Sequence, residues 1–165
     1  IHIVSGAFWV GSVFTFLGFI QPTAVALGPD AQKFTYGLVH DRRLPQVILG
    51  SAIVTVIAGV TLLTLTTNGL NPDLMFGESR LGFTIGGIAA IVTLGIGGLY
   101  VYPRTETVAR IIGLLLAERR PPTAEEQQAL GVAGRESRVA GWLVLAGLTI
   151  AIACMATARY WGVII

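Results

Sequence analysis

Hydrophobic positions along the chain collect into four long stretches that hold no Asp, Glu, Lys or Arg: Ile1 to Pro29, Leu44 to Pro72, Leu81 to Pro103 and Val139 to Ala158, of 29, 29, 23 and 20 residues. Each reaches the roughly 20 residues that an α-helix needs to cross a hydrocarbon core about 30 Å thick. In lipid every backbone polar group has to be satisfied within its own segment, and no strand alternation of the kind a membrane barrel needs is present, so the stretches predict helices. The expected fold is all-α: one domain over 1–165, an integral membrane antiparallel four-helix bundle with spans at about 1–27, 45–68, 81–102 and 139–160.

The connections carry their own signals. Gly28-Pro29 predicts an end to the first helix and a restart, because glycine suits a left-handed cap and proline a first turn. Asp30 to Leu44 then reads as a polar helical lead-in to the second span, with a kink at Pro45. Asn68-Gly69 and Asn71-Pro72-Asp73 close the second span with turn chemistry. Between the third and fourth spans lies the one sizeable polar region, a helical hairpin at about 104–138. Val108, Ile111, Ile112 and Leu115 share a helical face there, Glu118 to Pro122 stops that helix, and Thr123 with Glu126 has the spacing of a capping box.

Composition agrees with a membrane solvent: 53% of residues are hydrophobic, 12% are charged and the mean hydropathy is +0.74. The first run is too long for a secretory signal, and three more follow it. A net charge of +2 does not point to nucleic acid, because the basic residues lie in the connections between spans. Lys33, Arg42, Arg43, Arg104, Arg110, Arg119, Arg120, Arg135 and Arg138 fall on one side, and only Arg80 and Arg159 on the other. Under the positive-inside rule this predicts a plasma-membrane protein with both termini outside and a cytoplasmic hairpin. Tyr100, Tyr102 and Trp142 would then anchor the inner interface, and Tyr160 and Trp161 the outer.

Candidate chemistry is sparse. No Asp, Glu, Lys or Arg lies deep in any of the four runs, which argues against ion pumps and proton-coupled carriers. Small residues at four-residue spacing allow close helix approach: Ser51, Thr55 and Gly59; Gly82, Gly86 and Ala90; Ala7 and Gly11; Gly147 and Ala151. A monomer would use all of these faces internally, whereas a subunit of an assembly would turn one outward. The lone Cys154 excludes an intrachain disulfide, and Met75 and Met155 are too few for a thioether copper site. His2, at the outer start of span one with Trp9 on the same face, is the candidate metal or haem ligand. His40 lies across the bilayer from it.

Ile1-His2-Ile3-Val4-Ser5-Gly6-Ala7-Phe8-Trp9-Val10-Gly11 followed by Pro22, and His40-Asp41-Arg42-Arg43-Leu44 running to Gly59, resemble segments of a set of small four-helix bacterial membrane proteins. That set comprises the copper resistance protein D family, the membrane-type protoporphyrinogen oxidase family, and a branch without assigned activity, to which the ending Ala158-Arg159-Tyr160 is similar. The oxidase resemblance implies a haem b site in which His2 matches the histidine of the first span. The lysine expected near the third span is replaced by Arg80, which cannot readily ligate iron but suits a carboxylate such as a haem propionate. The copper branch implies transport, which scarce methionine and histidine disfavour. The sequence therefore predicts a non-catalytic subunit or scaffold of a membrane complex, or a homo-oligomer. The alternatives are a haem- or metal-binding protein using His2, Trp9 and Arg80, or a copper-related transporter.

Overall fold

The computed structural model describes residues 1–77 and 80–160, and among them the chain is entirely helical, without strands. Four helices are long and apolar enough to cross a membrane: α1 (His2–Asp41), α2 (Leu44–Thr66), α4 (Leu81–Glu118) and α5 (Ala124–Tyr160), with the short α3 (Pro72–Met75) between α2 and α4. They fit a multi-pass membrane protein.

The helices outrun the apolar stretches that announce them. At Gly28 the chain bends through φ +56° and ψ −127°, a conformation that glycine reaches without a Cβ penalty, and the helix resumes as the lead-in to α2. Pro22 and Pro103 interrupt nothing. Just ahead of each lies a wide helical turn, Phe16–Ile20 and Gly97–Val101, in which the residue before the proline donates five positions back: Gln21 N–H to the Phe16 carbonyl and Tyr102 N–H to that of Gly97. The widened turn makes room for a ring that would otherwise press on the preceding turn and break the helix. The kink expected at Pro45 is absent. The chain reverses instead at Arg42-Arg43, with Arg43 at φ 51°, and Pro45 sits in the first turn of α2, where no N–H is needed.

Turn chemistry closes α2 as the sequence suggests. Asn68 and Gly69 take positive φ, and the Asn71 side chain accepts from Asp73 N–H to start α3. At the far end, Thr123 and Glu126 form the capping box that opens α5. Arg120 reinforces it with paired hydrogen bonds to Glu126 at 2.6 and 2.7 Å and a further contact to Glu118. Those bonds, to Glu126 first, raise the pKa of the Arg120 guanidinium.

Packing follows the small residues. A Cβ added at Gly6 would lie 3.3 Å from Thr55, and one at Gly59 would lie 2.8 Å from the His2 ring, so α1 and α2 meet in descending order of number. Gly82 approaches Cys154 and Ala158, Gly86 approaches Ala151 and Met155, and Gly147 approaches Thr93, which joins α4 to α5 in the same sense. Arg104, 2.6 Å from Glu136, extends that pairing toward the hairpin turn. Tyr36, in the lead-in, packs against Gly113, where a Cβ would come within 2.6 Å of the ring. One face differs. Ala7 and Gly11 are exposed, and nothing lies within 4 Å of a Cβ built at Gly11.

Candidate functional site

His2 opens α1 and packs on α2. Its Nδ1 lies 2.8 Å from the Thr55 carbonyl oxygen, so in the neutral ring Nδ1 carries the proton and donates, and Nε2 keeps its lone pair. Gly59 permits this seat, because any side chain there would displace the imidazole. The Thr55 hydroxyl, 2.9 Å from Ser5 Oγ and 2.7 Å from the Ser51 carbonyl, ties the same two helices together. A backbone carbonyl that orients a histidine through Nδ1 is the support commonly found behind a metal-ligating ring.

The two residues predicted to join His2 do not share its surroundings. Trp9 is 4% exposed and belongs to the core with Ala52, Val144 and Leu148. Arg80 precedes α4, and its Nη1 is buried without a hydrogen-bond partner among the described residues. Such a group is suited to an anion. Among the described residues no three His, Cys, Asp or Glu side chains gather as a metal cluster. His40 is exposed and stacks on Tyr36, with ring centroids 4.8 Å apart.

Two features escape the sequence reading. The first is a polar cluster at the lead-in end of the bundle. Gln46 Nε2 donates to Glu106 Oε1 at 2.8 Å and to the Tyr102 hydroxyl at 3.2 Å, while Gln46 Oε1 is buried without a partner. Tyr102 is half-buried in this cluster. Tyr100, Trp142 and Tyr160 are exposed, and Arg104 lies over the Tyr100 ring at 3.3 Å from its centroid. Trp161 lies outside the described residues. Glu106 and Tyr102 stand four apart on one helical face, which is the signal that pairs them with a polar residue opposite.

The second is a partly open cavity of about 100 Å³ enclosed by α1, α2, α4 and α5. Trp9, Leu17, Leu94 and Val144 supply apolar wall, and Tyr102 and Ser137 supply polar atoms. Neither His2 nor Arg80 lines it. No family model matches the chain, and no curated protein and no solved structure matches it either.

Proposed function

We propose that the chain is a non-catalytic subunit or scaffold of a membrane assembly. In this reading it is an antiparallel bundle in the plasma membrane, with both termini outside and the 104–138 hairpin in the cytoplasm. The outward-turned face of α1 carries the proposal. The other three small-residue faces are spent on internal helix contacts, whereas Ala7, Gly11, Thr15 and Gly18 form an exposed groove beside the exposed rings of Phe8, Phe14 and Phe19. In lipid, such a groove gains its packing from another helix. The nine-to-two distribution of Lys and Arg supports the orientation.

Size determination in mild detergent, with detergent mass subtracted, is expected to give a species well above the 17.4 kDa of one chain. Gly11→Leu is expected to shift it toward monomer without loss of helicity. Monomer alone across a wide concentration range would refute the reading.

A second reading, haem or metal at His2, is favoured by the oriented Nε2. Haem b would supply one-electron chemistry at its iron. Of the three residues only His2 would offer iron a ligand, because Trp9 is packed with Ala52, Val144 and Leu148, and among the described residues no hydrogen bond joins Arg80 to His2. A reduced-minus-oxidised absorption spectrum and elemental analysis test it directly. Bound haem or metal that disappears in His2→Ala and persists in His40→Ala would support this reading. A silent Soret region and absence of metal would remove it.

A further inference from the structure

Helices α1 and α2 meet with Gly6 beside Thr55 and His2 beside Gly59, a register that brings Leu17 level with Leu44, the first residue of α2. Leu17 and Leu44 line the same cavity as Tyr102 and Ser137, so the four residues mark one height in the bundle. Past this height the neighbouring helices carry charge: Arg104, Glu106 and Arg110 on α4, and Arg135 and Glu136 on α5. A hydrocarbon core therefore ends close to it. Helix α1 nonetheless stays free of charge as far as Pro29, and on the way Val25 is 61% and Leu27 53% exposed.

The lead-in continues this surface. Its inner face is spent on the protein, since Ala31 and Val39 are buried and Tyr36 packs against Gly113. Phe34 points away and is 57% exposed. Beside it Lys33 is exposed, and Arg42 and Arg43, which end the segment, are exposed too. Arg110, one turn ahead of Gly113 on α4, is a fourth exposed cation. None of the four has an ion-pair partner among the described residues. The segment's own acids are Asp30 and Asp41, whereas Glu106 and Glu118 on α4 are held by Gln46 and Arg120. Positive charge is in excess.

Large apolar side chains at the height of charged neighbours suit the boundary between acyl chains and headgroups, and cations beside them attract acidic lipids. We propose that residues 21–43 form a binding surface for acidic phospholipid. Val25, Leu27 and Phe34 enter the acyl edge of the leaflet, while Lys33, Arg42, Arg43 and Arg110 pair with headgroup phosphates. This requires only that the chain crosses a bilayer. It rests neither on which side the termini face nor on the assembly face of α1.

Cys154 is the only cysteine, so Cys154→Ser/Phe34→Cys offers one thiol for a bimane label. The labelled full chain is reconstituted in phosphatidylcholine bilayers that hold a minor fraction of lipid with brominated acyl chains, either phosphatidylglycerol or phosphatidylcholine. The label is expected to be quenched by brominated lipid and shielded from aqueous iodide. Brominated phosphatidylglycerol should quench about threefold more efficiently than brominated phosphatidylcholine, by charge attraction at the headgroups. Adding Lys33→Gln/Arg42→Gln/Arg43→Gln should bring the two lipids to equal efficiency, and so should high salt on the parent. Inorganic phosphate at matched ionic strength should not compete, which separates a headgroup held at a bilayer surface from a site for the free anion. Quenching by iodide alone would place the segment in water and overturn the proposal. A label that neither quencher reaches would mean that protein covers this face, and would overturn it too. Equal quenching by the two lipids in the parent at low salt, or competition by free phosphate, would remove the acidic-lipid preference. Should the charge-removed variant lose its helical circular dichroism, the salt dependence of the parent decides.

Discussion

Gly82→Leu is expected to destabilise the protein by about 3 kcal/mol or more, the upper end of what overpacking costs. A Cβ at this position would sit 2.7 Å from the Cys154 carbonyl oxygen and 2.8 Å from the Ala158 Cα. Both are backbone atoms of α5, so no rotamer change relieves the clash and the helices have to separate. Separation also strips the contacts Gly86 makes with Ala151 and Met155 one turn away. Lipid offers little hydrophobic compensation, because an opened helix face is as apolar as the tails that would cover it. Gly87→Leu is the control. A Cβ at Gly87 meets nothing within 4 Å, and its cost should stay within about 0.5 kcal/mol. Thermal unfolding in detergent distinguishes the two, and equal losses would mean that α4 and α5 do not pack through Gly82.

Gln46→Leu is expected to cost about 2 kcal/mol, because it removes a hydrogen bond to a charged group and leaves Glu106 and Tyr102 facing apolar surface. The double variant Gln46→Leu/Glu106→Leu should cost less than the sum of its single changes, since no unpaired carboxylate remains. Denaturant unfolding of the four proteins of this cycle measures the coupling. Strict additivity would show that the cluster is solvated and contributes nothing specific.

The pattern of charges located the membrane-spanning stretches well, since Asp, Glu, Lys and Arg are what a bilayer excludes. It placed helix ends less well. A charge marks where lipid stops, and α4 continues from Tyr102 to Glu118 through Arg104, Glu106 and Arg110 because a helix tolerates water. The capping box at Thr123 and the bend at Gly28 were legible because each depends on side chains, or on the lack of one, at fixed local offsets.

Longer-range features were not. The spacing of Ala7 and Gly11 announces a face but not its neighbour, so only the structure shows that it points outward. The partner of His2 is a backbone carbonyl, which any residue at position 55 would supply and which leaves no trace in the sequence. Ser137 lies between Glu136 and Arg138 and reads as part of a solvated stretch, yet the phase of α5 turns it inward. Tyr102 adjoins a span boundary, and its partner Gln46 lies 56 positions away in the sequence. The wide turn before Tyr102 alters which way it faces.

Those wide turns amount to single-residue insertions that the helix has absorbed. Each adds one residue to a turn, and one residue corresponds to about 100° of rotation. Everything after Gly97–Val101 is therefore re-aimed relative to the lipid-facing half of α4, and everything after Phe16–Ile20 relative to the start of α1. The side chains that follow each wide turn therefore face directions that an uninterrupted helix would not give them.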